Sequence, residues 1–176
     1  LSRYVSKIRS TSIHELMKLG RLRTEPPAYE RAIVAETKQA IATLAEVGVQ
    51  TRCKFSSFAQ TPEDVSQYMS KFDWSLPWSA GGQTAALAVF LSVQAPQFLS
   101  FASVEKLRDV MRQYYRTIAD RDSGGYFTGT RPARRLLVNG AMKVLTALDW
   151  LDEPIHYSKI LTDTVLSSPP VSEGCD

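Results

Sequence analysis

Residues 79–93 read Ser79-Ala80-Gly81-Gly82-Gln83-Thr84-Ala85-Ala86-Leu87-Ala88-Val89-Phe90-Leu91-Ser92-Val93. The run is apolar nearly all round, which predicts a helix buried on every side rather than an amphipathic surface helix. It is also the region of the longest apolar run in the chain. That run is well short of the ~18 residues a membrane span needs, so no membrane span is expected.

On either side the apolar spacing stays helical. Thr61-Pro62-Glu63-Asp64 is a helix start: Thr61 caps, Pro62 suits the first turn, and two acids favour the positive end of the dipole. Val65, Tyr68, Met69 and Phe72 then fall at i, i+3, i+4 and i+7, until Ser75-Leu76-Pro77-Trp78 breaks the pattern. Downstream, Ser103 is expected to cap a helix with the stripe Val104, Leu107, Met111, Tyr114 and Ile118. A loop from Asp120 to Gly129 leads to a helix over 134–151 with the stripe Leu137, Ala141, Val144, Leu148 and Leu151. Pro154 ends it, and a last helix carries Tyr157, Ile160, Leu161 and Val165. Upstream, a helix over 29–47 places Ile33, Thr37, Ile41 and Leu44 on one stripe, with Gly48 at its C-terminal cap. Ser12-Ile13-His14-Glu15 reads as a capping box for a short helix that Gly20 stops. No segment alternates as a strand would.

Buried, Ala/Gly-rich helices (29–47, 79–94, 134–151) thus alternate with amphipathic ones (62–72, 103–119, 155–167). Gly81-Gly82 and Gly140-Ala141 put small residues at matching places, where a backbone can approach its neighbour closely. The pattern predicts an all-α protein of about three repeated αα-hairpins, laid out as a helical array or a curved, partial α/α toroid. It divides the chain into a basic arm over 1–28, a helical-hairpin domain over 29–168 and a flexible tail over 169–176.

The chain has 176 residues, 44% hydrophobic and 22% charged, enough for one buried core. That excludes intrinsic disorder, collagen and a disulfide-stapled miniature. The net charge of +3 is too mild to imply nucleic acid. It is uneven: residues 1–31 hold seven basic and three acidic groups. A solvated arm explains this, and contact with an anionic surface is the sharper alternative. Cys53 and Cys175 belong to no CxxC or Cys/His cluster, so no zinc motif and no cofactor are expected. We read them as free thiols, with a disulfide as the alternative. The compartment is open, with the cytoplasm favoured. The chain begins at Leu1 rather than Met, which suggests processing or a longer parent chain.

Three segments carry a family resemblance. They are Phe72-Asp73-Trp74-Ser75-Leu76-Pro77-Trp78-Ser79-Ala80-Gly81-Gly82, Asp122-Ser123-Gly124-Gly125-Tyr126-Phe127-Thr128-Gly129 and Val138-Asn139-Gly140-Ala141-Met142-Lys143-Val144-Leu145. Over residues 60–167 they resemble the α/α toroid superfamily of terpenoid cyclases, protein prenyltransferases and polysaccharide-processing toroids. In its repeats a D-x-G-G-aromatic-x-G loop between outer and inner helices is common. The resemblance implies a carbohydrate- or isoprenoid-related domain with its ligand at the N-terminal ends of inner helices. A complete toroid has about six hairpins, so it also implies an incomplete arc, a longer chain or self-association. No catalytic set transfers. Asp120-Arg121-Asp122 lacks the third acid of the cyclase motifs, and His14 and His156 are isolated.

The candidate chemistry follows from residue type. Asp120 and Asp122 suit an acid/base pair or cation site, or simply the turn that Gly124-Gly125 makes. Asp73, Trp74 and Trp78 flank an inner-helix mouth, where aromatics beside a carboxylate suit sugar stacking; packing over the core end is the plainer role. Arg131, Arg134 and Arg135 precede the helix that holds Asn139 and suit a phosphate, sulfate or carboxylate, or a solvated basic loop. Gln83 and Tyr126 complete the expected ligand mouth. Asp73, Asp120 and Asp122 are the candidate catalytic carboxylates. The other reading is a non-enzymatic helical-repeat scaffold that binds a protein partner.

Overall fold

The computed structural model describes residues 27–51 and 55–167, with side chains from Ile33 onward. The capping box at Ser12, the basic arm before Pro27, Cys53, Cys175 and the tail over 169–176 lie outside the described residues. The backbone divides into two units, Leu1–Ile33 and Val34–Asp176.

Six α-helices are described: α1 (Pro27–Glu46), α2 (Pro62–Ser70), α3 (Pro77–Val89), α4 (Phe101–Ile118), α5 (Arg134–Trp150) and α6 (Ser158–Leu166). The protein is all-α. One isolated bridge, Ala119 to Tyr126, is the nearest approach to a strand among the described residues.

Capping accounts for the starts. The Thr61 hydroxyl accepts from the Asp64 amide at 3.1 Å, with Glu63 and Asp64 in the first turn of α2. α4 begins earlier than expected: Ser100, not Ser103, is its N-cap and accepts from the Ser103 amide. Both serines can cap by composition, and Ser100 has the extended backbone the cap requires. α3 begins at Pro77, inside the segment read as a breaker, because proline is well suited to the first turn. It changes to a π-helical turn over Phe90–Gln94 and a 3-10 turn over Ala95–Gln97, ending where Pro96 removes a donor. Gln94, fully buried in the π turn, accepts from the Phe55 amide and donates to the Thr51 hydroxyl at 2.8 Å.

The helix directions can be read from the contacts. A Cβ on Gly140 would lie 2.5 Å from Pro77 Cβ, and one on Gly81 would lie 3.4 Å from Val144 Cγ2. Farther along, the Ser92 hydroxyl donates to the Trp150 carbonyl at 2.6 Å. Residues 77, 81 and 92 of one segment therefore meet 140, 144 and 150 of the other in the same order, so α3 and α5 run parallel. α4 runs against both. Tyr115 bonds Thr84 near the middle of α3, whereas Glu105 and Arg108 lie by Ser92 near its end. Thr164 and Ser167, at the end of α6, meet Arg134 at the start of α5, so these two are also antiparallel.

The core fills the space between these layers. The α5 stripe Leu137, Ala141, Val144, Leu148 and Leu151 is buried as expected. So are Val65 and Met69 of α2, and Val104, Leu107, Met111 and Ile118 of α4. A second cluster joins Ile41 and Ala42 of α1 to Ala86, Val89 and Phe90, with Val34 packed against it. The α1 stripe is thus rotated from the expected one. The last helix differs most: Tyr157, Ile160 and Val165 are exposed, and only Leu161 and Thr164 of α6 are buried. It starts three residues late because Tyr157 adopts a left-handed backbone at φ 50°. No described helix is long and apolar enough to cross a membrane.

Candidate functional site

The expected mouth separates into a core part and an exposed part. Trp74 is only 2% exposed, and its indole nitrogen donates to the Met69 carbonyl at 3.1 Å. Its ring meets Tyr115 edge-on at 6.1 Å, and Tyr115 meets Tyr126 in the same way at 6.3 Å. Tyr126 has no exposed surface. These two expected ligand contacts are core residues: each packs edge-on against Tyr115, and burial leaves neither a face for a ligand.

The candidate carboxylates serve turns. Asp73 is exposed and accepts from both the amide and the hydroxyl of Ser75, at 2.9 and 2.6 Å. Those hydrogen bonds lower its pKa below the usual carboxylate value. Asp120 accepts from the Ser123 hydroxyl at 2.5 Å, and its carbonyl accepts from the Gly124 amide at 2.8 Å. Asp122 is exposed on the same loop. No group of three or more His, Cys, Asp or Glu gathers to hold a metal among the described residues.

The arginine cluster divides. Arg134 turns to α6, donating to the Thr164 carbonyl at 3.2 Å and to the Ser167 hydroxyl. It thereby satisfies one carbonyl group at the negative end of that helix. Arg131, Pro132, Arg134, Leu137 and Thr164 line an open cleft of about 260 Å³ there. Arg135 is exposed and leaves the cleft for another face of α5.

On that other face, expected ligand residues share one line. Arg135, Asn139 and Lys143 follow at i, i+4 and i+8 along α5. Trp78, in the first turn of α3 and 44% exposed, meets the end of the line: the Lys143 ammonium sits 4.3 Å from its ring centroid. The parallel packing of α3 on α5 causes this meeting, because Pro77 rests on Gly140 and Gly81 leaves room for the Lys143 Cβ at 3.0 Å. Gln83 is half-buried and lies about 140° around α3 from Trp78, so it does not join them.

Sequence reasoning missed a second polar group entirely. Glu153, with a side chain 5% exposed, accepts from Arg116 at 2.8 and 2.9 Å and lies 2.9 Å from His156 Nε2. His156 Nδ1 and its backbone amide both meet the Tyr126 hydroxyl, at 3.2 and 3.3 Å. Burial works to raise the Glu153 pKa, but the bonds from Arg116 and His156 outweigh it and hold the carboxylate ionised. Burial pushes the Tyr126 hydroxyl up to about 12, so it stays protonated beside the imidazole. Both ring nitrogens of His156 are engaged by protein groups, Nε2 by Glu153 and Nδ1 by Tyr126. Nothing in the spacing of Arg116, Tyr126, Glu153 and His156 announced the group, since it forms only when three separate segments pack.

Comparison with protein-family models, curated protein sequences and solved structures finds no match.

Proposed function

We propose that the chain is a partial α/α toroid of about three αα-hairpins that binds a saccharide where its inner helices begin. In this reading α1, α3 and α5 are inner helices and α2, α4 and α6 are outer ones. Support comes from the parallel register of α3 and α5, the opposed direction of α4, and the burial of most of α3. The observation that carries the binding face is the half-exposed Trp78 ring beneath Lys143, in line with Asn139 and Arg135. An aromatic face bordered by donors suits a hydroxylated ring, which stacks and hydrogen-bonds at once, better than an apolar isoprenoid chain. No reaction is assigned, because the candidate carboxylates Asp73, Asp120 and Asp122 sit in turns.

The test is a panel of oligosaccharides and isoprenyl alcohols titrated against wild type and Trp78→Ala. Support would be a saccharide that binds wild type and loses ~10-fold or more in affinity in the variant, about 1.4 kcal/mol. Equal affinities across the pair would refute the face. A second reading, a scaffold for a protein partner, draws on Phe101 and Leu166, which are 80% and 76% exposed. Ligand-independent capture of one partner, abolished by Phe101→Ser, would favour it.

A further inference from the structure

Two arginines share a cleft that holds no acid to match them. Arg131 and Arg134 line the open cleft of about 260 Å³ together with Pro132, Leu137 and Thr164. The chain delivers both. Arg131 precedes a proline, which disfavours helical backbone at the residue before it, and Arg134 stands in the first turn of α5. Arg134 is held in place: Nε donates to the Thr164 carbonyl at 3.2 Å and Nη2 to the Ser167 hydroxyl, which leaves Nη1 without a protein partner among the described residues. Arg131 is exposed and bonds no protein group among the described residues. The ion pairs among those residues belong to Arg108, Arg112, Arg116 and His156, and none to Arg131 or Arg134. Two guanidinium groups thus meet at one cleft with free donors and no carboxylate. Arginine does not shed its proton to relieve such repulsion, so a bound anion is what balances the pair.

We infer that Arg131 and Arg134 together bind a phosphate dianion in this cleft, as the free ion or as the head of a monoester. A planar guanidinium fork matches phosphate oxygens two at a time. The charge of about −1.5 to −2 near neutral pH answers both arginines, whereas a carboxylate answers one. Leu137 is only 1% exposed and offers the organic part of an ester little surface, so the dianion itself supplies the affinity. The bonds that α6 already makes to Arg134 lower the ordering cost of binding. Trp78 does not line this cleft, and the phosphate site stands independently of the saccharide face proposed above.

Calorimetric titration of the full chain with phenyl phosphate, inorganic phosphate and benzoate tests it, using wild type, Arg131→Ala, Arg134→Lys and Lys106→Ala. Thermal melts establish that each variant is folded. Arg131→Ala should melt with wild type, because that side chain bonds no protein group among the described residues, and it remains decisive if Arg134→Lys loosens α6. Phenyl phosphate is expected to bind wild type ~10-fold or more tightly than benzoate, and to lose ~10-fold in Arg131→Ala, about 1.4 kcal/mol in each case. Arg134→Lys keeps the charge and loses the fork, and should weaken binding as well. Lys106→Ala removes an exposed charge of α4 outside the cleft and should leave the affinity unchanged. Inorganic phosphate close to phenyl phosphate in affinity would support the free dianion as ligand, and phenyl phosphate much the tighter would support a monoester head. No phosphate binding by wild type, an affinity unchanged in Arg131→Ala, an equal loss in Lys106→Ala, or benzoate matching phenyl phosphate would each overturn the inference.

Discussion

Single glycines decide how closely the helices meet. Gly140 leaves no room for a side chain, with Pro77 Cβ, Cγ and carbonyl carbon 2.5, 2.7 and 2.9 Å from where a Cβ would sit. Gly140→Leu should destabilise the fold by about 1–3 kcal/mol through overpacking, read as a lower urea midpoint. Gly82, one residue from Gly81, faces open space within α3. Gly82→Ala should instead stabilise by about 0.5–1 kcal/mol, because alanine loses less backbone freedom in a helix. The sequence pairs Gly81 with Gly82 and cannot say which of them meets a neighbour; only the rotation of the helix decides it. Lys38 makes the same point for charge. Its depressed pKa means that the unfolded chain holds more protons between the folded value and 10.5. Stability should therefore rise with pH across that window, and the rise should shrink in Lys38→Met when urea midpoints are compared.

Elements are tied together by polar contacts that no stripe foretells. Arg112 places Nε and Nη2 on the Leu151 carbonyl at 2.9 and 2.6 Å, and Arg108 places Nη2 on the Trp150 carbonyl at 3.1 Å. Two cations of α4 thus satisfy the negative end of α5. Below this pair, Glu153 joins Arg116 of α4 to His156 and, through it, to Tyr126. Because the Glu153 pKa is lowered in the fold, its contribution is complete above the ordinary value of 4.5 and is lost as pH falls through the folded value. Glu153→Gln should cost about 2 kcal/mol at pH 7 and flatten the acid side of the stability profile, measured by denaturant melts from pH 7 to 2. Gly124 anchors α6: its φ of +70° and the Leu161 backbone nitrogen 2.5 Å from a would-be Cβ exclude any other residue. Gly124→Ala should lower the melting temperature by several degrees or more, about 2 kcal/mol or above, in a calorimetric scan. Four of the helices were legible as spans because their apolar stripes repeat at helical spacing, and α3 because its run is apolar nearly all round. α6 was legible only in part. Tyr157, Ile160, Leu161 and Val165 follow helical spacing, yet of these only Leu161 is buried, in line with Thr164.

At the scale of the whole molecule, the all-α class was readable because apolar residues recur at helical spacing along the chain and no segment alternates as a strand would. The candidate site was readable only as an inventory of residue types. Trp74 and Trp78 are four residues apart with the same chemistry, but Trp74 precedes the turn at Pro77 and points into the core. Trp78 follows the turn and is carried to Lys143 by the packing of α3 on α5. Arg134 and Arg135 diverge because adjacent helix positions face about 100° apart. The proposed binding face depends on this separation of core from surface aromatics. The three tryptophans supply the most direct test, since Trp74, Trp78 and Trp150 each give an indole N–H resonance in a two-dimensional NMR spectrum. Titration with an oligosaccharide should shift the Trp78 resonance progressively and leave that of buried Trp74 in place. A Trp78 resonance unmoved at saturation, or a shift confined to Trp74 or Trp150, would contradict binding at the start of α3 and α5.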